Sequence, residues 1–175
     1  MNNKFILTIV ISAFALNGAA NAQTGSGTLS VSADVQGSIN LTFVTDASGM
    51  AVTGTTTSTA SLPFGAVRMH GGTVPANVTK TVNASSFDLS TPFDVRVDLA
   101  NSPSTTYTLA AALAAADSTN TWSLGVTDIS AGASHALTST GVYATAAPYT
   151  LKLRVPASSL PGLISNTINF TATAN

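Results

Sequence analysis

Three observations predict an all-β fold. Ser, Thr, Ala, Val and Asn dominate the chain, while charged residues make up only 7% and glutamate does not occur, so the long helix formers are scarce and residues suited to a pleated surface are common. Apolar and polar residues alternate with period two in one short run after another. Clusters of Gly, Pro, Asn, Asp and Ser fall between these runs, at the spacing of an immunoglobulin-like β-sandwich of eight or so strands. The length suits a single domain with one good core, and no internal repeat marks a second.

The front of the chain carries an address. Met1-Asn2-Asn3-Lys4 supplies one positive charge and leads into Phe5–Leu16, an uncharged and mostly apolar run. That run is too short for a spanning helix, which needs about 20 residues. Ala20-Asn21-Ala22 then offers the small residues that signal peptidase accepts. Residues 1–22 are expected to be a secretory signal peptide, removed from the mature chain. Past it, no apolar run is long enough to span a membrane.

The first strand of the mature chain is expected at Thr28–Val35, behind a loose Gln-Thr-Gly-Ser-Gly lead. Leu29, Val31, Ala33 and Val35 share one face; Thr28, Ser30, Ser32 and Asp34 share the other. Its partner is open at this point. Pairing within its own domain would give a self-contained sandwich, and pairing with the next molecule would give a polymer subunit. Residues 23–36 are therefore set apart as an N-terminal donor or edge strand, and 37–175 as the sandwich domain.

The remaining elements follow in order. After Gln36-Gly37, Ser38–Val44 places Ile39, Leu41 and Phe43 on one face. Asp46-Ala47-Ser48-Gly49 has turn chemistry. The Thr-rich stretch Val52–Ala60 leads to Ser61–Val67, expected as an edge strand or bulge because Pro63 cannot donate to a ladder. Residues 68–78, with Gly71-Gly72 and Pro75, suggest a surface loop. Thr79–Leu89 should hold a strand or two, broken at Ala84-Ser85-Ser86. Next, Phe93, Val95, Val97 and Leu99 point inward while Asp94, Arg96 and Asp98 point to water. Ala110–Ala116 competes as a short helix, because alanine has the highest helix propensity. The period and the flanking turns favour a strand over Thr105–Leu113. Asp117-Ser118-Thr119-Asn120 turns the chain into Thr121–Val126, with Trp122 and Leu124 on one face. Residues 127–148 are less regular, with Ala136-Leu137-Thr138 as a short strand. Tyr149–Val155 alternates, Pro156–Gly162 is a loop, and Ile164–Ala174 closes the chain with Ile168, Phe170 and Ala172 facing one way.

The same residues exclude several functions. After the signal, Arg68, Lys80, Arg96, Lys152 and Arg154 stand against seven aspartates, scattered and net about −2, so nucleic-acid binding has no electrostatic basis. Weak self-repulsion suits a protein that assembles. Cysteine is absent, which removes disulfides, thiol nucleophiles and thiolate metal sites and leaves stability to the core or a partner. His70 and His135 fall in expected loops and make a poor metal set. Gly132-Ala133-Ser134-His135-Ala136 lacks the final glycine and the strand-to-helix setting of a nucleophile elbow. Asp46–Gly49 and Asp117–Asn120 lack the carboxylate density of a calcium loop, and Asx turns explain both. Trp122 with Tyr107, Tyr143 and Tyr149 could line a sugar-binding face, although core packing accounts better for Trp122. The expectation is a non-enzymatic protein with no catalytic residue, no cofactor and no metal.

A resemblance sharpens this. Thr24-Gly25 through Thr28–Val35, followed by Ile39–Phe43, resembles the donor strand and first strand of archaic chaperone–usher pilins and spore coat protein U-like domains. Leu62-Pro63-Phe64-Gly65 is similar to their Phe-Gly landmark, and Val155-Pro156 through Leu160-Pro161-Gly162-Leu163-Ile164 to Thr173 resembles their final strand. Ser38 and its neighbours stand where the family carries a cysteine. The resemblance implies an incomplete immunoglobulin-like sandwich, completed by a strand from a neighbour through β-augmentation. Leu29, Val31, Ala33 and Val35 would then be the assembly strand. It implies a structural subunit of a fimbrium-like fibre or coat, passing through the periplasm with a chaperone and usher as partners and ending at the cell surface or outside. The alternative is a free-standing secreted β-sandwich binding module, for carbohydrate for example, with Thr28–Val35 as its own edge strand.

Overall fold

The computed structural model describes residues 29–56 and 58–175; the expected signal peptide, residues 23–27 and Thr28 lie outside them. The chain divides after Asp34. In the leading unit, residues 29–34 belong to no strand and are exposed. From Val35 onward, residues 35–37 are likewise exposed and outside any strand, and everything after them is built on antiparallel ladders, with no helix among the described residues.

The strands are β1 (Ser38–Val44), β2 (Thr53–Thr56), β3 (Thr59–Ser61), β4 (Thr79–Val82), β5 (Ser86–Ala100) and β6 (Tyr107–Leu113) in the first part. They continue with β7 (Thr121–Leu124), β8 (Thr127–Ile129), β9 (His135–Gly141), β10 (Ala146–Pro156) and β11 (Ile168–Ala174). One sheet runs β1-β5-β10-β7-β8, with β4 also on β5; a second runs β11-β6-β9, and β2 pairs with β3 alone.

β5 organises the larger sheet. Phe87, Leu89, Thr91, Phe93, Val95 and Val97 are buried on one face, and Asp88, Asp94, Arg96 and Asp98 lie on the other, as the period requires. One edge of β5 is taken by β10, while the other is shared, β4 meeting Phe87–Ser90 and β1 meeting Asp94–Ala100. Thr91-Pro92-Phe93 falls in the gap between those two partners, where the N–H that Pro92 lacks is not needed. The loop after β1 fills the gap. Met50 N donates to Thr91 Oγ1 at 2.9 Å, Thr91 Oγ1 donates to the Asn77 carbonyl at 3.0 Å, and Asn77 Nδ2 donates to the Gly49 carbonyl at 2.9 Å. Position 49 must be glycine, since a Cβ there would sit 1.9 Å from the Pro92 carbonyl oxygen.

The two larger sheets share one core. Tyr107, Leu109, Ala111 and Leu113 of β6 are buried in the same apolar cluster as Val95 and Val97 of β5. At the β8–β9 connection the sheets are stitched by a bridge from Leu113 to Ala131 and by Leu113 N donating to the Ser130 carbonyl at 3.1 Å. At the other end of both strand orders, β1 faces β11 with no ladder between them among the described residues. There Phe43 meets Phe170 edge-on at 5.2 Å, and Phe93 closes the cluster at 6.0 Å from Phe170.

Residues 29–35 form no ladder among the described residues, so the partner of the expected first strand stays open. Other expectations are corrected. Only Ser61 of the expected edge strand Ser61–Val67 is in a strand; Pro63 lacks a donor and Gly65 takes φ +68°, which ends the pairing. The irregular 127–148 stretch contains β8, β9 and the start of β10. The final strand starts at Ile168 and not at Ile164, because the Asn166 side chain occupies the place of backbone, with Nδ2 donating to the Ala115 carbonyl at 2.8 Å.

Candidate functional site

Where β1 and β11 fail to join, a groove of about 1530 Å³ runs over the core, with floor side chains that are themselves 1–8% exposed. Its floor is the inner face of the larger sheet: Phe87, Leu89 and Phe93 from β5, Leu151, Leu153 and Val155 from β10, and Trp122 from β7. Leu41 and Phe43 of β1 flank one side, and Ile168 and Phe170 of β11 the other. Residues 58–69 and 156–167 form its lips. Arg68 is the one charged residue among those lining it, so an ion would find little there and an extended apolar chain would find a continuous surface.

The backbone along the groove is prepared in the same way. β11 has a ladder on one side only, against β6. Ala114 N donates to the Thr167 carbonyl at 2.8 Å and Asn175 N to the Thr106 carbonyl at 3.0 Å, which makes the odd-numbered residues of this stretch the hydrogen-bonded pairs with β6. The N–H and C=O groups of Ile168, Phe170 and Ala172 therefore point along the open edge, while their side chains turn to the core.

Trp122 is fixed in the floor by a turn of acidic chemistry. It is 6% exposed, and its Nε1 donates to Asp117 Oδ2 at 2.8 Å. Asp117 Oδ1 accepts from Thr119 N at 3.1 Å and Asn120 N at 2.9 Å. Burial opposes ionisation of Asp117, but the donors on Asn120, Trp122 and Thr119 outweigh it and draw its pKa down to about 2.

The residues singled out from the sequence fall as follows. Leu29, Val31 and Val35 are 88%, 83% and 68% exposed, and Ala33 is exposed beside them. His70 is exposed on its loop. His135 Nε2 accepts from Ser130 N at 3.2 Å and lies 2.9 Å from Ser130 Oγ, closing the turn into β9 and not meeting Ser134. Asp46 is an Asx turn, its Oδ1 accepting from Ser48 N at 2.7 Å and Ser48 Oγ at 2.6 Å. The aromatic side chains share no exposed face: Tyr107 is fully buried, and Tyr143 donates to the Thr106 carbonyl at 2.9 Å. Among the described residues no cluster of three His, Asp, Glu or Cys could hold a metal, and no helix is long and apolar enough to cross a membrane. Sequence reasoning missed the lips. Leu62, Phe64, Val67 and Met69 follow the Thr-rich stretch as two apolar pairs separated at Gly65-Ala66 and line the groove from a segment without ladder bonds; this run of apolar residues was the available signal. Comparison with protein-family models, curated proteins and solved structures finds no match, so function has to be read from the groove itself.

Proposed function

We propose that this chain is a non-enzymatic structural subunit of a secreted or surface fibre or coat, an immunoglobulin-like sandwich one strand short, completed by residues 28–35 of the next copy. The observation that carries it is the apolar groove, with Arg68 its one charged lining residue, along the bare edge of β11, in a chain that also holds an exposed segment of matching pattern. The lengths agree: β11 has 7 residues and the segment about the same, each spanning roughly 25 Å at the rise of a strand. The charges agree too, since Leu29, Val31, Ala33 and Val35 are apolar and Asp34 falls on the other face. Incoming main chain would pair with Ile168, Phe170 and Ala172 while alternate side chains fill the groove.

Donation in trans is favoured over a hairpin in cis. Doubling back onto β1 after Gln36-Gly37 needs left-handed φ in the turn, and neither residue adopts it. Gly37 is also packed so that a Cβ would lie 3.1 Å from the Asn101 carbonyl oxygen. A head-to-tail contact whose rotation does not close lets subunits add without limit, which is how the proposed fibre would grow. Before assembly the groove's lip exposes Leu160 and Leu163, and shielding that apolar surface would be the work of a periplasmic chaperone and usher during export.

An SDS gel of the mature protein from its native envelope tests this. An unheated ladder that collapses to one band on heating is expected, and Val31→Asp should abolish it by placing a carboxylate against the apolar floor of the groove. A monomer in both lanes, with a monomeric mass by light scattering, would replace this reading with the free-standing binding module.

A further inference from the structure

The lip between β10 and β11 holds more apolar surface than a loop of its kind needs. Leu160 and Leu163 are 90% and 95% exposed, Ile164 is 36% exposed, and all three line the groove. The loop is anchored at both ends. At the near end Ser159 N donates to the Pro156 carbonyl at 3.0 Å and Ala157 N to the Ser85 carbonyl at 2.8 Å. At the far end Asn166 Nδ2 donates to the Ala115 carbonyl at 2.8 Å, and Ala114 N donates to the Thr167 carbonyl at 2.8 Å. Between these anchors no hydrogen bond among the described residues reaches 160–165. Gly162 has open space where its Cβ would be, with nothing within 4 Å. At the base of the same lip Ser159 Oγ is buried and has no hydrogen-bond partner among the described residues, although a buried hydroxyl ordinarily has one.

From this geometry we infer that residues 159–165 are a strap that closes over the assembly strand of the second copy once it lies in the groove. This rests on the reading of the groove as a strand acceptor. Leu160 and Leu163 turn inward onto the seated strand, pivoting at Pro161-Gly162, and Ser159 Oγ donates to a carbonyl of its main chain. The occupant is residues 28–35 of another copy, because its outward face of Thr28, Ser30, Ser32 and Asp34 supplies the small side chains over which leucines can lie. The groove supplies entry and the strap supplies residence time.

The test uses the full chain carrying Val31→Asp, whose own segment is disabled, as acceptor for a fluorescent peptide with the sequence of residues 28–35. Adding Leu160→Ser and Leu163→Ser to that acceptor should speed peptide dissociation by at least about tenfold, since re-exposing leucines acts mainly on the off-rate. The melting temperature without peptide should not change, because both side chains are exposed in the free protein. Amide hydrogens of residues 160–165 should gain protection when peptide binds the Val31→Asp acceptor. Unchanged dissociation together with no gain in protection would overturn the strap and leave the groove reading standing. Failure of the Val31→Asp acceptor to bind peptide at all would overturn the groove reading, and the strap with it.

Discussion

Replacing Asp117 by alanine tests how the floor of the groove is held. The change removes the acceptor of Trp122 Nε1 at 2.8 Å and those of Thr119 N and Asn120 N at 3.1 and 2.9 Å. Trp122 is 6% exposed, so its N–H would be left in apolar surroundings, at a cost of about 1–3 kcal/mol. The turn N–H groups sit near solvent and add about 0.5–1 kcal/mol. Together these predict a loss of roughly 2–4 kcal/mol, or a fall in Tm of about 5–12 °C for a domain of this size. The pH dependence has a definite sign. The folded pKa of about 2 lies below the ordinary value of 3.8, so the carboxylate's contribution is present above pH 3.8 and is lost as pH falls toward 2. Partial exposure of Asp117 reduces that contribution to about 1–2 kcal/mol. Thermal unfolding at pH 7 and at pH 2.5, followed by the fluorescence of the single tryptophan, measures both quantities. Asp117→Ala with an unchanged Tm at pH 7 and an unshifted Trp122 emission would refute the reasoning.

Other perturbations follow from single contacts. Thr91→Val leaves Met50 N and the Asn77 carbonyl without the hydroxyl that joins them and should cost about 1–3 kcal/mol in urea unfolding. Gly141→Ala would drive a Cβ to 2.3 Å from the ring of fully buried Tyr107 and should cost about 1–3 kcal/mol or more, whereas Gly162→Ala, with open space around it, should stay within about 0.5 kcal/mol of the parent. Asp94 is raised by burial first, and then by the charge of Asp46 and their shared hydrogen bond; its favourable neutral form is present below pH 3.8 and lost as pH rises through its folded pKa. Asp94→Asn should therefore raise Tm at pH 7 and leave it nearly unchanged near pH 3. Breaking the Arg154–Asp88 pair, which is bonded at 2.8 and 3.0 Å on the surface, with Asp88→Asn should cost about 0.5–1 kcal/mol, less in high salt.

Much of the fold was legible because burial in β5 and β6 follows period two closely, although in β1 it does not and Ile39, expected inward, is 38% exposed. Ser38–Val44 is β1 to the residue, the break expected at 84–86 falls at 83–85 between β4 and β5, and the Ala-rich stretch is strand as far as Leu113, its alternation having outweighed alanine's helix propensity. What was not legible depended on contacts between distant residues. β8 is 3 residues long and β9, at 7 residues, is only half-buried and without strict alternation, so their pattern is weak, and their place is set by the Leu113–Ala131 bridge. The end of pairing at Ile168 depends on an amide side chain reaching Ala115, which no local pattern announces. Of the groove, the sequence offered the inward faces of its strands, Leu41, Phe43, Ile168 and Phe170. It did not offer the separation of β1 from β11, which is a property of strand order.

The edges of the two sheets make the last step. Exposed ladder groups invite pairing with other chains, and folded monomers blunt such edges with charge, proline, short length or a covering loop. Several edges here are managed in that way. β4 lies beside a loop pinned by Lys80 Nζ, which donates to the Arg68 and Gly71 carbonyls at 3.1 and 2.8 Å. β8 is only 3 residues long and carries Asp128, which accepts from Ser123 Oγ at 2.6 Å. β11 has none of these protections: its sequence, Ile-Asn-Phe-Thr-Ala-Thr-Ala, is uncharged, has no proline and is 7 residues long, and the groove beside it is uncharged but for Arg68. β1 and β9 are likewise 7 residues long, with no proline, Asp, Lys or Arg; β1 and β11 are the unguarded pair that borders the groove, which is the arrangement the proposed strand donation needs. On the proposed reading, a chain with weak self-repulsion, no disulfide and an exposed apolar segment of the right period would gain from its neighbour the strand that β11 lacks.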